Sequence, residues 1–169
     1  NQGKYMSTIL AFQEALKLKS DDVEIKYQLG IAYMELYNYN IAAQYFEEYV
    51  ALNDQDEIAF FFLGKCYYEI GDYPAAILAL QRANALSPND YRILYYIGKS
   101  YSKLGEESDA ALTFRKALKI NPEDPEIYFA LGKSYYRLNK NKKVKETLDI
   151  LNMLDRTLWD QLRNEIGAR

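Results

Sequence analysis

The sequence predicts an all-α chain, a right-handed solenoid of antiparallel helix pairs, and three observations predict it. An apolar residue followed by glycine recurs at a fixed interval of 34 residues, at Leu29-Gly30, Leu63-Gly64, Ile97-Gly98 and Leu131-Gly132. Other residue types keep the same phase: Tyr33, Tyr67, Tyr101 and Tyr135, then Ala42, Ala76, Ala110 and Val144, then Phe46, Leu80, Phe114 and Leu148. Within a unit the apolar residues fall at helical spacing, as Leu29, Tyr33 and Leu36 do, which places them on one stripe that must be buried. Each unit is therefore one supersecondary element stacked on its neighbours.

The elements follow in order. Residues 1–22 hold Gly3, Tyr5, Phe12 and Ala15 in the phase of a second helix, so they are expected to form half a unit. Three full units span 23–56, 57–90 and 91–124. In each, glycine and the small residue two beyond it (Ala32, Cys66, Ser100, and Ser134 in the next unit) let a neighbouring helix approach closely. Links such as Gly71-Asp72-Tyr73-Pro74 supply a helix-ending glycine, an acidic cap and a proline near the next helix start. Pro88 and Pro122 stop the second helices. A divergent unit covers 125–156, where Leu151 replaces the alanine of Ala83 and Ala117, as Tyr49 does earlier, and both should widen the packing. Over 157–169, Leu158, Leu162 and Ile166 share one face, which predicts a solvating cap helix; Trp159 fits the repeat poorly and leaves a divergent further repeat as the alternative. The whole reads as one domain and, opening without an initiator methionine and midway through a unit, as a fragment of a longer protein.

Composition sets limits on chemistry. The content, 49% hydrophobic and 27% charged, is that of an ordinary soluble domain, and the longest apolar run, Tyr73 to Leu80, is far too short to span a membrane. The absence of histidine removes the commonest general base and metal ligand, and the single Cys66 excludes an internal disulfide framework. Carboxylate pairs (Asp21-Asp22, Glu47-Glu48, Glu106-Glu107) are read as helix starts or exposed faces. With no phosphate loop and no nucleophile beside a base, neither an enzyme nor a bound cofactor or metal is expected. The N-terminus names no compartment; the cytoplasm is the default, with a periplasmic or envelope-associated place open if a leader was removed. Charge is uneven, because residues 1–90 carry 6 Lys/Arg and 13 Asp/Glu, net −7, whereas 91–169 carry 15 and 11, net +4.

The in-phase Leu-Gly, Tyr, Ala, aromatic and Pro positions resemble the tetratricopeptide repeat over nearly the whole chain. The resemblance implies a superhelix with a concave inner face lined by the first helix of each unit, and a protein-binding scaffold or adaptor. On that orientation the groove would present Tyr27, Phe61, Tyr95 and Phe129, then Ile31, Lys65, Lys99 and Lys133, then Met34, Tyr68, Ser102 and Tyr136. Phe62 and Tyr96 stand at its margin, and the next position is Glu35 and Glu69 in early units but Lys103 and Arg137 later. The alternative is that the rings pack between helices. The implied ligand is a peptide or helical segment of another protein with apolar anchors, its acidic residues over Lys99, Lys133 and Arg137. A subgroup of the family grips acidic chaperone tails with a basic clamp; its places are here Tyr27, Ile31, Phe62, Arg92 and Tyr96, and only Arg92 keeps the required character.

Two rivals stay open. A helical repeat can bind RNA, but a sequence pI near 5.1 disfavours nucleic acid. A self-assembling scaffold is the other, joined head to tail through the oppositely charged halves.

Overall fold

The computed structural model describes residues 2–167, with side chains from Tyr5 onward. Among the described residues there are ten helices and no strand. Residues 1–88 and 89–169 form two compact units. The first holds α1 (Gln2–Leu18), α2 (Val23–Glu35), α3 (Tyr39–Val50), α4 (Glu57–Ile70) and α5 (Tyr73–Leu86). The second holds α6 (Tyr91–Lys103), α7 (Glu107–Ile120), α8 (Pro125–Arg137), α9 (Asn141–Leu154) and α10 (Arg156–Ile166).

Capping residues decide where these helices begin and end. Asp22, Asp56, Asp90 and Asp124 stand just before the first helices, and their carboxylates accept backbone N–H groups of Ile25, Ala59, Arg92 and Ile127 at 3.2, 2.9, 2.9 and 3.2 Å. Each such cap contributes about 1 kcal/mol. The same helices end seven residues after their glycine on a left-handed residue: Tyr37 (φ 59°), Gly71 (φ 94°), Gly105 (φ 79°) and Asn139 (φ 56°). That conformation reverses the chain within a few residues, so successive helices run antiparallel. Glycine adopts it freely, whereas Tyr37 carries strain of the kind an L side chain meets there. In the Gly71-Asp72-Tyr73-Pro74 link, Asp72 accepts from the Ala75 N–H at 3.1 Å and Pro74 lies in the first turn of α5.

In the first unit α1 packs on α2, α2 on α3, α3 on α4 and α4 on α5. Leu29, Ala42, Phe46, Cys66, Leu80 and Ala83 are fully buried. Gly30 and Gly64 are the seats on which the second helices rest: a methyl added to Gly30 would lie 2.9 Å from the Phe46 ring, and one on Gly64 only 2.5 Å from Leu80 Cγ. In the second unit Gly98 seats Phe114 in the same way, at 2.6 Å.

The last repeat departs from this rule. By phase, Gly132 should seat Leu148, but the side chain nearest it is Leu162 of α10, at 2.6 Å, with Thr147 at 3.3 Å. Leu148 is only half-buried, while Leu151 and Leu162 are fully buried. The cause is bulk at both flanking positions, since Val144 and Leu151 are buried where Ala110 and Ala117 stand one repeat earlier, whereas Tyr49 paired with Ala42 still leaves Phe46 on Gly30. Hence α10, expected as a solvating cap, packs on both α8 and α9 and supplies a core side chain.

Candidate functional site

The residues expected in a groove fall on the first helices, α2 and α4 in the first unit and α6 and α8 in the second. Tyr27, Phe61, Tyr95 and Phe129 are all half-buried, neither sealed from water nor standing free.

In the first unit the rings belong largely to the packing. Tyr27 and Ile31 lie against the core cluster built on Phe46, Ala42 and Leu63. The Tyr27 ring meets Phe46 edge-on at 5.9 Å and tilts against Tyr49 at 5.0 Å. Tyr49 donates its hydroxyl to Asp56 at 2.9 Å, and burial together with that bond pushes its pKa up to about 12. Phe61 leans on Phe62 at 5.8 Å, which in turn meets Phe46 at 5.7 Å. Tyr68 packs against Tyr73 at 5.7 Å. Lys65 is half-buried. Met34, expected on the open face, is instead buried, because it joins the cluster of Ala43, Phe46 and Leu63.

In the second unit the lysines and rings pair. Lys99 Nζ sits 5.2 Å from the Tyr95 ring centroid and 4.9 Å from that of Tyr96. Lys133 Nζ sits 5.2 Å from the Phe129 ring and 2.6 Å from the Glu165 carboxylate of α10. One turn separates each lysine from its ring, which sets the ammonium within cation–π range of it. The Lys133 ammonium, and after it the Gln161 amide, hold the Glu165 carboxyl below its ordinary range.

Arg137 and Glu107 depart from expectation. Glu107 begins α7 but is buried, where Arg137 Nη1 donates to its carboxylate and, at 2.8 Å, to Ser102 Oγ. Ser102 donates to Glu107 at 3.2 Å. A buried carboxylate needs such partners, so Arg137 serves the fold as well as any surface. Lys103 remains exposed, and Tyr136 is 46% exposed.

Tyr136 opens onto a different feature, a cleft of about 600 Å³ bounded by the end of α8, by α9 and by α10. Val144, Leu148 and Ile166 give it apolar walls, and Trp159, Lys145 and Arg163 line it as well. Phase alone could not reveal this cleft, because it exists only where Leu148 has lost its glycine seat.

Burial pushes the Cys66 thiol up to about 12, which leaves it protonated and inert at neutral pH. Among the described residues no group of three metal-ligating side chains comes together, and no helix is long and apolar enough to cross a membrane.

Known proteins bear on the same features. A tetratricopeptide repeat family model matches residues 1–57 and 27–91, and a second TPR repeat model matches 103–139. A crystal structure of the MamA protein superposes with a TM-score of 0.87 at 27% identity, over 91% of this chain and 84% of that one. Another MamA structure gives 0.80 at 25% identity, over 99% and 93%. YrrB, described as a TPR protein with an unusual peptide-binding site, gives 0.86 at 21% identity, over 96% and 84%, a likeness of fold. No curated protein matches. With the 34-residue glycine seats, the paired helices and family models over more than half its length in agreement, the chain belongs to the tetratricopeptide repeat family.

Proposed function

We propose that this chain is a scaffold that binds a peptide or helical segment of a partner protein along the first-helix faces of its units, and that it carries out no chemistry of its own. The observation that carries the reading is the ring and lysine pairing on α6 and α8, where Lys99 covers Tyr95 and Tyr96 and Lys133 covers Phe129. An aromatic floor with a cation above it suits a segment that brings an apolar anchor and a carboxylate together. Glu165 supports the acidic half of that preference, since a carboxylate on a neighbouring helix already sits 2.6 Å from Lys133. The anchor would hold the ligand, at about 2 kcal/mol or more for a well-buried ring, and the ion pairs, at about 0.2–1 kcal/mol, would select and orient it.

The contact residues in this reading are Tyr27, Ile31, Phe61, Lys65 and Tyr68 in the first unit and Tyr95, Lys99, Lys103, Phe129, Lys133, Tyr136 and Arg137 in the second. Tyr27 and Ile31 would contribute least, being tied into the Phe46 cluster. The test is affinity capture with the intact chain beside the Phe61→Ala/Tyr95→Ala double variant. The variant should keep its helical circular dichroism and lose the partners that the intact chain retains. Undiminished capture would end the reading, and so would collapse of the helical signal, because the rings would then be core.

A further inference from the structure

The cleft at the last repeat combines features that the packing of the repeats does not require. Val144, Leu148, Ile166 and Trp159 line it beside Lys145, Asp149 and Arg163, and the Arg156 and Arg163 guanidiniums lie 3.8 and 4.5 Å from the Trp159 ring centroid. With Leu162 on the Gly132 seat, Leu148, whose counterparts Phe46, Leu80 and Phe114 are buried in the three preceding full repeats, is left lining an open space.

The charge beside it breaks a local rule. Residues 137–145 carry five cations and no acid: Arg137, Lys140, Lys142, Lys143 and Lys145. Arg137 is held by Glu107, and Lys143 lies 5.2 Å from the Tyr135 ring. Lys140, Lys142 and Lys145 are exposed and, among the described residues, form no ion pair. They crowd the start of α9, whose N-cap is Lys140 and makes no side-chain cap bond. Lysines repel the positive end of the helix dipole, and α2, α4, α7 and α8 place glutamate in that turn instead. A choice that works against the helix, next to an apolar cleft, is what a site for an anionic partner demands.

We infer that this cleft is a second docking site, taking an acidic protein segment that carries an apolar anchor. The anchor lies against Leu148 and Trp159, and the carboxylates meet Lys145, Arg163 and the uncapped start of α9. Asp149 on the same wall sets the direction, because it repels acids at its own position and leaves the lysine end to them. The cleft is separate from the ring and lysine faces of α6 and α8, apart from Tyr136, whose side chain borders it.

Trp159 is the only tryptophan in the chain, so its emission reports occupancy of this cleft directly. The probe is a blocked octapeptide in which three glutamates lead into a leucine–phenylalanine pair, titrated to about 1 mM, the weak end of measurable affinity. A saturable change in Trp159 emission is expected. Lys142→Glu/Lys145→Glu should weaken it on the order of tenfold, as the loss and reversal of two exposed pairs would. Lys119→Glu, an exposed charge on α7, should leave it unchanged, and circular dichroism should show both variants folded. No saturable change overturns the inference. Equal binding by the charge-reversed variant removes the cations from it, and equal binding by a peptide with serine in place of leucine and phenylalanine removes the anchor. An oligouridylate that competes as well as the peptide would show a phosphate site and overturn the protein partner.

Discussion

Gly98 and Gly132 occupy the same phase of consecutive repeats, yet the side chains resting on them have different origins. Phe114 comes from the second helix of the same repeat and is 1% exposed; Leu162 comes from α10, beyond the repeat. The difference is made by three positions on the second helix. Where Ala110 and Ala117 flank Phe114, α7 can press its aromatic side chain onto the glycine; where Val144 and Leu151 flank Leu148, α9 cannot, and α10 fills the space. A repeat thus tolerates a lost contact when the next helix supplies a substitute. The substitute comes with a cleft attached.

The largest effect should separate Phe114 from Leu148. Phe114→Ala removes a fully packed ring and is expected to cost about 3–5 kcal/mol in denaturant unfolding. Leu148→Ala trims a half-buried wall of the cleft and should cost only about 1 kcal/mol. Equal losses would mean that Leu148 carries core packing after all.

A smaller effect tests the seats themselves. Gly98→Ala places a methyl 2.6 Å from the buried Phe114 ring, and the overpacking, set against the better helix propensity of alanine, should leave a net cost of about 1–2 kcal/mol. Gly132→Ala meets the far end of the flexible Leu162 side chain of α10, which can shift by a few tenths of an ångström or more. Its main transition should therefore change little, while Trp159 emission shifts to the red as α10 loosens. A cooperative loss in both variants would make α10 part of one folding unit with α8.

Much of this fold was legible before any coordinates, and the reason is specific. Gly30, Gly64, Gly98 and Gly132 are required by close approach, and residues required by geometry recur visibly. The aspartates at 22, 56, 90 and 124 are equally periodic and equally tied to a backbone bond. The candidate surface was less legible. A ring three residues before glycine reads the same whether it leans on Phe46, as Tyr27 does, or lies under a lysine, as Tyr95 does, because the neighbour that decides comes from another helix. Arg137 and Glu107, thirty residues apart, show the same limit: each looked like a surface charge until the fold joined them.

The smallest predicted effect concerns what holds α10 in place, and it depends on pH. The Glu165 carboxylate is held below its ordinary value by Lys133, so it favours the docked helix at neutral pH. Its contribution is full above the unfolded carboxylate value and is lost as pH falls through the lowered folded one. The side chains are 33% and 37% exposed, so solvent screens the pair and the change should be modest. In an acid titration followed by Trp159 emission, the intact chain should loosen α10 only below the usual carboxylate range. Lys133→Met should move that transition upward, toward the value of an unassisted glutamate, and weaken the docking at neutral pH, while leaving it unchanged where Glu165 is protonated in both chains. If the two titrations coincide, Leu162 and Ile166 hold α10 unaided, and Lys133 is available to an acidic partner throughout.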